Sequence, residues 1–136
     1  MSTLTRDGYQ LVVDSGLRTR RDLAAILPPK VAAKAQREHL ADGYAAGALR
    51  LLAVVPESLW AEAVSSIHID FDALLESVRK ERSDDRTRLV FELAALLYGR
   101  QYMPYDVVPR FLKYVDDEDL LAGFDAMRIA REGLEP

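Results

Sequence analysis

The sequence predicts an all-α fold, a compact multi-helix domain of about six to seven helices around a central apolar helix at 85–98. Three observations carry this expectation. Apolar residues recur at intervals of three and four along most of the chain. Helix-starting residues such as Thr19, Asp70 and Asp106, and terminators such as Pro28, Gly99 and Gly133, stand where those periodicities begin and stop. Alternation of the strand type is confined to the short run Ile67 to Phe71. At 136 residues, a single helical domain over 1–136 is expected.

The stretch from Leu4 to Asp14 reads as a helix or, over the β-prone Tyr9 to Val13, as a short strand; Gly16 followed by Leu17 supplies a stop. Thr19 can cap the next helix through the backbone N–H of Asp22, and Pro28 and Pro29 end it. From Pro29 the pattern continues to Val55, which predicts one long helix of roughly 40 Å at about 1.5 Å per residue. Its apolar positions are Leu40, Tyr44, Ala48, Leu51 and Val55, and Gly43 and Gly47 leave a bare stripe for a second helix to approach. Pro56 and Glu57 open a short helix expected to bury Leu59, Trp60, Ala63, Val64 and Ile67, and Ile67 to Phe71 forms an extended connector.

Asp70 or Asp72 caps a helix with Phe71, Leu74, Leu75 and Val78 inward and Glu76 paired to Lys80. Lys80 to Arg88, with seven charged residues in nine, reads as a surface loop. Asp84 or Asp85 starts the central helix, where Asp85, Arg88 and Glu92 form an outward stripe, Leu93 and Leu96 are core positions, and Gly99 is the end. Asp106 caps a helix that turns Val108, Phe111, Leu112 and Val115 inward and tolerates Pro109 in its first turn. Asp116, Asp117, Glu118 and Asp119 begin the last helix, where carboxylates favour the positive helix end; Leu120, Phe124 and Met127 are its expected buried stripe, and Arg128 and Arg131 complement its C-terminal end.

Composition narrows the chemistry. The chain has no cysteine, which removes disulfides, thiol nucleophiles and thiolate zinc clusters. The run Asp116 to Asp119 lacks calcium-loop spacing and partner ligands, so no metal is expected. His39 and His68 are the two histidines; either can act as a base near neutral pH, and no HExxH, Walker, GxSxG or dinucleotide pattern accompanies them. No catalytic, cofactor-binding or metal residue is therefore predicted. The N-terminus shows no export signal, and the apolar run Ala45 to Val55 is broken by Gly47 and Arg50, so a cytoplasmic protein without membrane contact is expected.

The net charge of -4 is unevenly spread. Residues 1–50 hold eight Lys and Arg against five Asp and Glu, while 51–136 hold ten against seventeen. Between 18 and 37 six cations, Arg18, Arg20, Arg21, Lys30, Lys34 and Arg37, face one carboxylate, Asp22, and form a candidate interface or anion-binding segment; the alternative is a solvated face. A second candidate is the loop after Tyr98, where Tyr98, Arg100, Tyr102, Met103 and Tyr105 offer adaptable contact area, unless the rings fold back onto the core.

The segment 14–37, with Ser15-Gly16-Leu17 as turn and Arg20 and Arg21 at the start of the following helix, resembles in part a DNA-reading helix-turn-helix. Val12 and Leu17 fit the buried positions, but Asp22 stands where an apolar residue belongs, and the second helix stops at Pro28. The leading expectation is a small non-enzymatic helical module acting through protein contacts, as an accessory or regulatory subunit or a homo-oligomer. Nucleic-acid binding through 14–37 is the alternative.

Overall fold

A computed structural model describes residues 16–80, 85–99 and 103–136. Among the described residues stand seven α-helices: α1 (Arg20–Ile26), α2 (Pro29–Ala35), α3 (Gly43–Leu52), α4 (Phe71–Lys80), α5 (Asp85–Tyr98), α6 (Val107–Tyr114) and α7 (Asp117–Glu132). Two single 3-10 turns, Glu57–Leu59 and Ala61–Ala63, lie between α3 and α4. The described residues contain no strand, only isolated bridges pairing Thr19 with Glu135 and Val64 with Ile69. The predicted element at 4–14 lies outside the described residues.

The fold is all-α, built on α3, α5 and α7. α5 packs against α3, α4, α6 and α7, and α3 lies between α5 and α7. The small-residue stripe on α3 explains how closely α7 sits: a Cβ built on Gly47 would stand 2.6 Å from the Ala126 carbonyl oxygen, and one on Gly43 2.9 Å from that of Ile129. Only glycine leaves room for the α7 backbone there. On α7 the glycines of α3 meet the backbone at Ala126, Ile129 and Ala130, while Gly123 of α7 faces the Phe111 ring of α6. Of the stripe expected on α7, Leu120 is buried, whereas Phe124 and Met127 are only partly buried.

The single helix expected from Pro29 to Val55 is broken. α2 ends at Ala35, turns follow, and α3 begins after Asp42, whose side chain accepts the Tyr44 N–H at 2.9 Å. A short carboxylate that bonds its own downstream backbone competes with helix continuation, and here it wins. The turn buries His39 and Leu40, and His39 Nε2 donates to the Ser65 carbonyl at 2.7 Å.

The helix expected after Pro56 is replaced by the two 3-10 turns, which wrap around Trp60. The indole N–H of Trp60 donates to the Val55 carbonyl at 2.9 Å, drawing the ring into the core. Trp60 and Val64 are buried as expected, but Leu59 is exposed and Ile67 is 77% exposed.

Asp70 caps α4 through the Ala73 N–H at 3.0 Å, and Phe71, Leu74 and Val78 are buried. Glu76 pairs with Arg79; the side chain of Lys80 lies outside the description. α5 begins at Asp85, as the expected helix 85–98 does, so the charged run read as a loop from Lys80 to Arg88 supplies the first turn of α5 from Asp85 onward, with Thr87 buried. Leu93 is fully buried, but Leu96 is 37% exposed, because it lies one turn beyond Glu92 on the polar stripe itself. Glu92, expected outward, is buried under Arg88 and Arg110. On α6 the inward stripe is Val107, Phe111 and Val115, so Leu112 is exposed and Val108 half-buried. Asp106 makes no capping bond there and pairs with Arg110 at 3.1 Å instead.

Candidate functional site

The basic segment occupies α1 and α2, whose apolar side is committed inward through Leu23, Leu27, Val31 and Ala35. α1 begins with a reciprocal cap: Thr19 Oγ1 accepts the Asp22 N–H at 3.1 Å, and the Asp22 carboxylate accepts the Thr19 N–H at 3.0 Å. Backbone N–H donation from Thr19 and then from Arg18 holds the Asp22 carboxyl below its usual 3.8. The segment that leads into α1 is stitched to α7 and the residues after it. Arg20 N–H donates to the Glu135 carbonyl at 2.9 Å, Glu135 N–H to that of Arg18 at 3.0 Å, and Leu17 N–H to Asp125 at 3.3 Å.

This frame sorts the six predicted cations. Arg18, Arg21, Lys30, Lys34 and Arg37 are exposed. Arg20 is partly buried, with an Nε that is shut off from solvent and has no hydrogen-bond partner among the described residues. Lys34 donates from Nζ to the Val64 carbonyl at 3.2 Å. Among the described residues no carboxylate pairs with Arg21, Lys30 or Arg37.

The arginines of the remaining helices behave differently. Arg50 reaches the buried Asp125 at 2.8 Å, and Arg128 reaches the same carboxylate at 2.7 Å while also donating to the Leu17 carbonyl. Arg86 grips the buried Asp119 with two nitrogens, at 2.5 and 2.9 Å, and donates to the Val54 carbonyl. Glu92 is shared by Arg88 at 3.1 Å and Arg110 at 2.7 Å. The hydrogen bonds that Arg110 donates to Glu92, reinforced by the charges of Glu92 and Asp106, raise the affinity of Arg110 for its proton despite partial burial. The acidic run therefore divides: Asp116 caps α7 through the Asp119 N–H at 3.0 Å, whereas Asp119 is an interior ion-pair partner. Sequence reasoning missed Asp125, although a lone carboxylate between the small residues Ala122 and Ala126 was the available signal.

In the second candidate region, Arg100 and Tyr102 lie outside the described residues. Tyr98 and Met103 are partly buried against the core, and Tyr105 is 99% exposed. The Tyr98 ring packs on Phe71 with centroids 5.3 Å apart; its hydroxyl accepts the Ile69 N–H at 3.2 Å and lies 3.3 Å from His68 Nδ1. The first helix of the helix-turn-helix resemblance lies outside the described residues, and its second, α1, is seven residues long.

A third feature, not anticipated from the sequence, is an open cleft of about 490 Å³ between the 3-10 turns, the 65–70 connector and α4. Leu59, Trp60 and Leu74 are among its apolar lining, and Glu62, Ser65, His68, Asp70 and Ser77 are among its polar lining. Among the described residues no three His, Asp or Glu side chains come together to hold a metal ion, and no helix is long and apolar enough to cross a membrane. No protein-family model, curated protein or solved structure matches this chain.

Proposed function

We propose that this chain is a small non-enzymatic helical module that works through protein contacts, as an accessory or regulatory subunit or as a homo-oligomer, and that its basic α1–α2 face meets an acidic partner surface. One observation supports the reading: Arg21, Lys30 and Arg37 stand exposed with no carboxylate paired among the described residues, while Arg50, Arg86, Arg110 and Arg128 close on buried acids. Cations on a frame tied down at both ends speed encounter with an acidic surface and fix its orientation. A protein partner suits the face better than nucleic acid, because residues 51–136 hold seventeen acids against ten bases and repel an extended phosphate backbone. The proposal extends to a cytoplasmic setting.

The test compares wild type with Arg21→Glu/Lys30→Glu/Arg37→Glu at low and high salt. Light scattering reads self-association, affinity capture from the source cell recovers a heterologous partner, and fluorescence anisotropy reads binding to labelled duplex DNA. The proposal expects salt-sensitive association with a protein, with the on-rate reduced about tenfold or more in the variant. Salt-sensitive duplex binding by the wild type that vanishes in the variant would assign the face to nucleic acid instead.

A further inference from the structure

The cleft beside Trp60 is rich in acceptors and poor in donors. Glu62 and Asp70 line it, and no Lys or Arg does. Among the described residues neither carboxylate has a cationic partner; Asp70 uses one oxygen to cap α4 through Ala73. The serines reinforce this polarity. Ser65 donates its hydroxyl proton to the His68 carbonyl and accepts the His68 N–H, which leaves it one lone pair, and Ser77 donates its own proton to the Leu74 carbonyl and keeps two. Lys34, on the neighbouring α2, is engaged by the Val64 carbonyl and does not line the cleft. The shape is held from behind: Trp60 is anchored through its indole N–H, and the His68 ring lies edge-on to Tyr98 with its Nδ1 beside the Tyr98 hydroxyl. The volume falls within the ~300–1,000 Å³ of small-ligand sites.

We propose that this cleft binds an alkylammonium group, with the cation between Glu62 and Asp70 and its alkyl stem along Leu59 and Trp60. Two carboxylates without a counter-charge attract such a group, and the apolar wall excludes water from its stem. The same chemistry occurs in free diamines and in lysyl side chains. This site is separate from the α1–α2 face, and it stands or falls independently of the function proposed for that face.

Trp60 is the sole tryptophan, so its emission reports the cleft directly. The full chain is titrated at low salt with 1,5-diaminopentane, with Nα-acetyl-lysine amide and with neutral 1-pentanol, as wild type and as Glu62→Gln/Asp70→Asn. Asparagine caps a helix as well as aspartate and Glu62 is exposed, so the variant retains its fold, which a matching thermal melt verifies. The expected result is a saturable change with the ammonium probes, none with pentanol, and affinity weakened about tenfold in the variant through loss of the charge-assisted bonds. Tighter binding of acetyl-lysine amide assigns the site to a lysyl side chain, and tighter binding of the diamine to a small amine. An absent response, an equal response to pentanol, or unchanged affinity in the variant overturns the proposal. Because Trp60 also borders a second groove on the side of Pro28 and Pro56, the variant identifies which cavity responds.

Discussion

Arginine has two different roles on the two sides of this molecule. In α3, α5, α6 and α7, Arg50, Arg86, Arg110 and Arg128 reach carboxylates almost removed from water; the first three pairs link two helices of the core, and Arg128 holds Asp125 from within α7. In α1, α2 and the turn after α2, Arg21, Lys30 and Arg37 have no carboxylate partner among the described residues and stand in solvent. The difference teaches that the number of cations says little about their role. What decides is whether a neighbouring helix brings a carboxylate into reach, and that depends on backbone proximity, which glycines set for α3 and α7.

The largest effect should come from breaking the interior pattern. Asp125→Ala leaves Arg50 and Arg128 without their shared partner and should cost about 3 to 5 kcal/mol in a urea melt, the usual loss when one side of a buried pair is removed. The core around α5 sharpens the contrast. Leu93→Ala should cost about 2 to 5 kcal/mol, and Leu96→Ala, one turn past Glu92 and partly in solvent, about 1 kcal/mol or less. Gly47→Ala places a methyl group against the Ala126 carbonyl and should destabilise by about 1 to 3 kcal/mol, although alanine is the better helix former.

A smaller effect concerns acid. The Asp22 carboxyl is held below its usual 3.8 by the Thr19 and Arg18 N–H groups, so its contribution is present above that pH and fades as pH falls through the lowered folded value. Asp22→Asn should therefore be less stable than wild type at neutral pH, and the gap between their thermal melts should narrow below pH 3.8.

What could be read from the sequence was what is local. The Thr19–Asp22 cap, the α5 helix and its end at Gly99, the Asp70 cap and the glycine stripe of α3 depend on neighbours within a turn or two, and each stands where the spacing puts it. Asp42-Gly43 was a turn signal that periodicity outweighed. Glu92 could not be recognised as buried because Arg110, which covers it, arrives on a different helix, and the same holds for Asp119 under Arg86. The run of cations in the basic segment is plain in the sequence, but its sorting is not legible there: Arg20 Nε is shut off from solvent and Lys34 reaches Val64 only because of how the chain returns past α2. The cleft was invisible for the same reason, since Glu62 and Ser77 come to line one cleft only through the turns around Trp60.

If Arg21, Lys30 and Arg37 serve a partner, as proposed, the fold does not need them. The most direct measurement is the urea-melt stability of Arg21→Ala/Lys30→Ala/Arg37→Ala beside that of Asp125→Ala, at low and high salt. The expected change is about 0.5 kcal/mol or less per residue in the triple variant, against several kcal/mol for Asp125→Ala. A loss in the triple variant as large as that of Asp125→Ala would show that these cations hold the fold, and would contradict the proposal.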